Sequence, residues 1–126
     1  MKKEDLTHQI IGCSYQVYNI LGFGFLESIC QKAMLIELEN NKLKAEPEKP
    51  LKVYYNGHVV GDFYVDICVE DEIIVELKSV ENLSKSHEVQ LVNYLNGLQK
   101  EIGLLINFGP TGVEVKRKYR QLEKQD

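Results

Sequence analysis

The sequence has no long run of apolar residues: its longest runs, such as Ile73–Val75 and Gly103–Ile106, are short. A helix needs roughly 20 consecutive apolar residues to cross a bilayer, so no segment is predicted to do so. The N-terminal residues Met-Lys-Lys-Glu-Asp lead into an amphipathic pattern rather than the apolar stretch of a secretory signal. We therefore expect a cytoplasmic protein with no membrane association.

Cysteine is also scarce. Cys13, Cys30 and Cys68 are odd in number, widely separated, and each lies among apolar residues. This pattern is typical of small buried side chains in a reducing compartment. A thiolate zinc site is not expected.

Positive charge is in short supply as well. The chain has 15 Lys and Arg against 19 Asp and Glu, which gives a net charge of −4. This argues against strong non-specific binding of nucleic acid, because such affinity comes mainly from cations that neutralise phosphates. Carboxylates that bind a metal ion would, however, contribute negative charge themselves. One local basic run covers Lys116–Lys118 and Arg120, and we interpret it as a solvated terminal face.

The length of 126 residues predicts one domain spanning 1–126, and a composition that is 44% hydrophobic and 27% charged is ordinary for a globular protein. Apolar residues at three-to-four-residue spacing predict three helices. The first runs from Asp5 to Leu21, the second begins near Phe25 and ends at about Asn40, and the third runs from Lys85 to Lys100.

Segments rich in β-branched and aromatic residues predict five strands. They cover Leu51–Tyr55, Val59–Val69, Ile73–Leu77, Ile102–Phe108 and Val113–Lys118. An extended connector, delimited by Pro47 and Pro50, is expected to precede the first strand.

The element order is therefore α-α-β-β-β-α-β-β, which indicates an α/β fold of the α+β type with a mixed central sheet flanked by helices. Asn56-Gly57 predicts a tight hairpin, because a type I′ turn needs positive φ at both central residues. The helix after Leu77 is long enough for a crossover, which predicts that the Ile102–Phe108 strand lies parallel beside Ile73–Leu77.

Two acidic residues and a lysine are expected to share one site. In Glu76-Leu77-Lys78 the two-residue period of a strand places Glu76 and Lys78 on the same face. If the preceding hairpin pairs Val69 with Ile73, Asp66 lies directly opposite Glu76, with Cβ atoms about 5 Å apart.

Two carboxylates this close repel each other unless a cation neutralises them or one stays protonated. One or two carboxylates, with water and substrate phosphate, form a typical site for Mg²⁺ or Mn²⁺. Lys78 could lower the pKa of an attacking water or neutralise a phosphate. The pattern therefore indicates phosphodiester hydrolysis.

Asp66 followed by Glu76-Leu77-Lys78 resembles the D…ExK signature of the PD-(D/E)XK nucleases. Further blocks are similar to the small GxxExxY proteins of that superfamily, so the resemblance spans nearly the whole chain. These blocks are Leu21–Cys30, the helix segment from His87 to Tyr94, and Gly103–Gly109.

The resemblance implies a restriction-endonuclease-like core in which Glu27 is an accessory acid beside Asp66 and Glu76, reaching the metal directly or through water. The alternative for Glu27 is a first-turn acid favoured by the helix dipole. The chain departs from the GxxExxY motif at Cys30, where the motif has Tyr. No ligand is removed by this difference.

On the third helix, Gln90 and Tyr94 are four residues apart and His87 lies three residues earlier, so all three project from one side. The resemblance implies that Gln90 and Tyr94 support the lysine and the nucleic-acid backbone. For His87, a local hydrogen bond at the helix start is an equal alternative. Tyr54, Tyr55 and Tyr64 are interpreted as half-buried packing residues rather than platforms for bases.

The leading hypothesis is a metal-dependent nuclease acting on DNA or RNA, with DNA favoured. The alternative is a non-catalytic module of the same fold that binds nucleic acid or a protein partner. A metal-dependent enzyme acting on a small phosphorylated molecule is also compatible with the carboxylates, because fold does not dictate substrate. The sequence does not distinguish a monomer from a homodimer.

Overall fold

A computed structural model describes residues 1–121. Its helices are α1 (Lys3–Leu21), α2 (Glu27–Asn40) and α3 (Lys85–Leu98). Its strands are β1 (Ala45–Tyr55), β2 (His58–Val69), β3 (Ile73–Lys78), β4 (Ile102–Phe108) and β5 (Val113–Tyr119). The predicted element order is confirmed.

The five strands form one sheet in the order β1-β2-β3-β4-β5. The pairs β1–β2, β2–β3 and β4–β5 are antiparallel, whereas β3 and β4 are parallel. The predicted mixed sheet is therefore confirmed. α3 connects the two parallel strands, as expected for a connection too long to be a hairpin. This arrangement is a restriction-endonuclease-like fold.

Each face of the sheet has its own apolar core. On one face, α1 and α2 pack on residues that include Ile67, Val75 and Leu104. On the other face, α3 packs through Leu91 and Leu95 on a second cluster. Because helices cover both faces, the central strands β3 and β4 are buried almost throughout, which explains their continuous apolar sequences.

Both hairpin turns have the backbone conformation that a tight reversal requires. Asn56 and Gly57 have φ of 49° and 79°, as predicted for Asn-Gly. Glu70 and Asp71 also have positive φ although neither is glycine. Two hydrogen bonds to Lys44 stabilise this second turn. The Glu70 N–H donates to the Lys44 carbonyl, and the Glu70 carboxylate accepts from the Lys44 N–H. The turn fixes the pairing of Val69 with Ile73.

Two details of the first hairpin differ from expectation. The segment with Pro47 and Pro50 is part of β1, since both residues are in register with β2; prolines are tolerated there because β1 is an edge strand. The three strand tyrosines are not half-buried: Tyr54, Tyr55 and Tyr64 are 62%, 69% and 59% exposed. These three tyrosines therefore belong to neither apolar core.

The second helix begins at Glu27 rather than at Phe25. Gly24 has φ of 111°, a conformation that favours glycine, so the chain is still turning just before the helix. Glu27 therefore lies in the first turn of α2, at its amino end.

Among residues 1–121, no helix is both long enough and apolar enough to cross a membrane.

Two glycines should respond oppositely to alanine. Gly12 is an exposed interior residue of α1 with free space around an added Cβ, so Gly12→Ala should stabilise the protein by about 0.5–1 kcal/mol. An added Cβ at Gly103 would meet Leu91 at 2.8 Å, so Gly103→Ala should destabilise it by about 1–3 kcal/mol. Urea unfolding of both variants measures these changes. A Gly103→Ala protein as stable as the wild type would contradict the close packing of α3 on β4.

Candidate functional site

β2 and β3 are linked by their acidic side chains at the point where their backbone pairing stops. The pairing runs from Val69–Ile73 to Ile67–Val75, and the next position in this register places Asp66 opposite Glu76. There, the Asp66 N–H donates to Glu76 Oε1 at 3.0 Å, and the Leu77 N–H donates to Asp66 Oδ2 at 2.7 Å. Each carboxylate thus replaces a backbone partner on the neighbouring strand.

The alternation of side chains along β2 also breaks at Asp66. Val65 belongs to the cluster beneath α3, but Ile67, two residues later, belongs to the cluster beneath α1 and α2. Across from Asp66 in the β1–β2 register, Glu48 has φ of 53°. The strand β2 is therefore twisted at this point. The twist places the Asp66 carboxylate between the layer of α1 and α2 and the layer of α3.

Groups on α2, β1 and β3 interact with Asp66 electrostatically. Burial and the charges of Glu27 and Glu48 raise the pKa of Asp66, while the hydrogen bond from Leu77 and the charge of Lys78 oppose the rise. Asp66 therefore faces other acids from α2 and β1 as well as the lysine of β3.

Glu76 is the more deeply buried acid, with only 6% of its surface exposed. Burial, followed by the charge of Asp66, raises the pKa of Glu76 to about 8. The hydrogen bond from the Asp66 N–H and the charge of Lys78 act in the opposite direction. Near neutral pH, and without a bound cation, the pair therefore keeps a proton, as two close carboxylates in a poorly solvated site should.

Lys78 ends β3 at the side of the parallel strand β4, opposite Asn107. Asn107 is fully buried, and its amide bonds both the N–H and the carbonyl of Val80, each at 2.9 Å. This clamp holds the chain just after the ExK segment. β4 therefore supports the chain at Lys78 and again two residues later, at Val80.

Two residues near Asp66 were not predicted from the sequence. Gln31 donates to the Asp66 carbonyl at 2.9 Å and to Glu48 Oε1 at 3.1 Å, so it connects α2, β1 and β2. Gln31 lies four residues after Glu27 and thus on the same side of α2, a spacing that could have indicated it. No sequence pattern indicated Glu48, because its position near Asp66 depends on the unusual backbone conformation of an edge strand.

Glu27 itself is exposed, and its charge reaches Asp66. Cys30, at the motif position of tyrosine, is buried in the apolar cluster beneath α1 and α2. Burial, and then the charge of Glu27, raise the pKa of its thiol. Cys30 thus packs as a small apolar side chain.

The three candidate residues of α3 have different surroundings. Tyr94 is largely buried, and burial together with the charges of Glu76 and Asp66 raises the pKa of its hydroxyl. Gln90 and Tyr94 both line a groove of about 710 Å³. His87 accepts a hydrogen bond from the Ser84 N–H at 3.1 Å, which is the local role at the helix start.

The donor set fits a hard divalent cation that is completed by water or phosphate. Asp66 Oδ1 and Glu76 Oε2 take no part in the two hydrogen bonds to backbone amides, which leaves one oxygen of each acid for a metal ion. Within residues 1–121, no group of three or more His, Cys, Asp and Glu side chains is arranged to hold a metal by itself. Glu27 therefore does not complete a three-carboxylate cluster. Sites with two carboxylates suit Mg²⁺, which retains several waters.

The chain is similar to known proteins in sequence and in fold. Residues 4–119 match the family model described as the PD-(D/E)XK nuclease superfamily. The crystal structure of SSO0001 is similar, with a TM-score of 0.61 and 21% identity over 76% of this chain; the match spans half the length of that protein. No curated protein matches this chain.

Stability of the metal-free protein should fall as the pH rises from about 4.5 to about 8. Below this range Glu76 is protonated in both states; within it, the unfolded state ionises first and is favoured, by at most about 1.4 kcal/mol per pH unit. Above the folded pKa the loss is complete. Thermal melts in a chelator measure the effect. Glu76→Gln should flatten the curve, and an unchanged slope would contradict the assignment.

Proposed function

Because the chain belongs to the PD-(D/E)XK nuclease superfamily, we propose that it is a nuclease that uses Mg²⁺ or Mn²⁺ to hydrolyse phosphodiester bonds, with DNA the favoured polymer. The observation that carries the proposal is the Asp66–Glu76 pair. Each acid accepts a hydrogen bond from the other's strand and keeps one oxygen for a cation. Lys78 follows Glu76 by two residues on β3.

The protein's own residues have distinct roles in this proposal. A divalent ion, when bound, would stabilise phosphate charge and make a bound water more acidic. Asp66 and Glu76 would hold that ion, and backbone amides orient them for this role. Lys78 would donate a hydrogen bond to the phosphate and offset its growing negative charge. Glu27 would hold a water at the edge of the site.

α3 would provide positioning groups on the opposite side. Tyr94 is near enough for its hydroxyl to respond to the charges of both acids, and Gln90 lies one turn before it. We assign these two residues to the orientation of Lys78 and of the nucleic-acid backbone. His87, which is engaged with the Ser84 N–H, would instead fix the start of α3.

A non-catalytic module that binds nucleic acid or a protein is the second candidate. It is favoured by the proton that the acid pair retains near neutral pH, because a neutralised pair needs no metal ion to be stable. The two functions differ in whether metal displaces that proton.

We propose that the protein acts in the cytoplasm. We also propose that residues 1–126 act as one domain. Cys13, Cys30 and Cys68 are free and buried, which is compatible with a reducing compartment. The one sheet and the two cores that cover its faces extend across the described chain from α1 to β5.

Purified protein should cleave labelled DNA in the presence of Mg²⁺ or Mn²⁺ and lose this activity in a chelator. Glu76→Gln should lower the rate by at least about 100-fold, because it removes the charge that holds the ion, and Lys78→Met should act in the same direction. Single-stranded DNA, duplex DNA and RNA are tested in parallel.

The controls for this assay are Glu39→Gln and Lys32→Met, which change exposed residues of α2. Both should retain wild-type cleavage. Cleavage that survives Glu76→Gln would assign the activity to another source, and no cleavage by the wild type would favour the binding module.

Divalent metal should also raise the melting temperature of the wild type near neutral pH. Binding to the folded state alone contributes about 2.7 kcal/mol when the metal is in hundredfold excess over its Kd. The double variant Asp66→Asn/Glu76→Gln should show no rise, because both anionic ligands are gone. An equal rise in the two proteins would place the ions elsewhere.

A further inference from the structure

A groove lies between the β1–β2 hairpin and α3, on the α3 side of the sheet. Its volume is about 710 Å³. The hairpin wall includes Tyr54 and Phe63, and the helix wall includes Val89 and Tyr94. A volume of this size is ample for one or two aromatic ring systems of a small ligand.

The groove presents aromatic and apolar surface that the fold does not cover. Tyr54 is 62% exposed, and Phe63 and Val89 are also exposed. Phe63 and Tyr94 contact each other with ring centroids 5.7 Å apart and planes tilted by 46°. A flat ligand could therefore contact ring faces and edges without first displacing a packed side chain.

The polar lining residues indicate the chemistry of that ligand. Gln90 and Asn93 are three residues apart on α3, and their amides offer both donors and acceptors. Among the residues that the structure describes, no acidic side chain lines the groove, although the whole chain is acidic, and Lys52 supplies a positive charge at the wall. This combination suits a flat, aromatic group with polar edges that is attached to an anion, which describes a nucleotide.

The groove is also connected to the candidate catalytic site. Tyr94 lines the groove and packs in the same apolar cluster as Val65, the residue before Asp66 on β2. Gln90, one helical turn before it, lines the same groove. A strand whose phosphodiester reaches the acid pair would therefore place a neighbouring base against these side chains.

We propose that this groove binds an unpaired base of the substrate strand, so that the substrate class is single-stranded nucleic acid or an unpaired end. In a duplex, both faces of a base are stacked and its pairing edge is occupied, whereas the groove offers contacts to a face and to an edge. This inference rests on the proposed function, since it names the part of the substrate beside the hydrolysed bond.

The test measures binding in the Glu76→Gln background, in which hydrolysis is switched off. The probe is a fluorescein-labelled oligothymidine of about 16 nucleotides, compared with a duplex of the same length at one salt concentration. Fluorescence anisotropy should show tighter binding of the single strand. Tyr54→Ala and, independently, Val89→Glu should weaken it by about fivefold to hundredfold, the range expected for loss of one stacked base.

Tyr55→Ala is the matched control, because Tyr55 is the next residue of β1, is similarly exposed, and does not line the groove. It should leave the affinity unchanged. Equal binding of duplex and single strand, or equal losses in Tyr54→Ala and Tyr55→Ala, would overturn the proposal. Dimerisation that depends on Tyr54 would do so as well, since a second copy would then occupy the groove.

A parallel cleavage assay separates this proposal from the proposed function. If wild type cleaves DNA with metal but the groove variants bind as the control does, the groove assignment fails and the nuclease remains. If wild type cleaves no substrate but Tyr54→Ala loses single-strand binding, the groove assignment stands and hydrolysis fails.

Discussion

The pair of hydrogen bonds between the acidic side chains and the backbone at Asp66 and Glu76 is the constraint on which the site depends. Ordinary strand pairing would satisfy these backbone amides with carbonyls and leave the two acids simply facing each other. Here, the Asp66 and Leu77 amides bind carboxylate oxygens instead. The sheet can therefore open at this point without leaving buried donors unsatisfied, and the acids are held in fixed orientations.

This arrangement concentrates negative charge where little water can reach it. Glu76 is buried within the sheet, and Glu27 and Glu48 add their charges around Asp66. A proton and a divalent cation are then alternative ways to relieve the same repulsion. The apolar clusters on both faces hold the strands in place against that repulsion, so the fold supplies the stability that the site itself does not.

The sequence predicted the parts of this structure that depend on local spacing. The two-residue period of a strand placed Glu76 on the same face as Lys78, and the assumed pairing of Val69 with Ile73, which the structure has, placed Asp66 opposite Glu76. Gln31 and Glu48 were missed because their contacts depend on α2 and β1 meeting across a rotated strand. The tyrosines of the hairpin were interpreted wrongly because strand propensity does not tell whether a helix covers that part of the sheet.

The acidic net charge is compatible with nucleic-acid recognition only if affinity does not come from a basic surface. The basic run near the end of β5 is partly engaged within the fold: Arg117 donates to Thr7 of α1, and Lys118 pairs with Glu88 of α3. These cations attach β5 to the helices on both faces instead of forming a free patch. In the proposed nuclease, recognition would then come from the metal ion, from Lys78 and from contacts with bases. Contacts with bases depend less on salt than phosphate neutralisation does. A protein built this way would select its substrate by the accessibility of bases and phosphate at the acid pair.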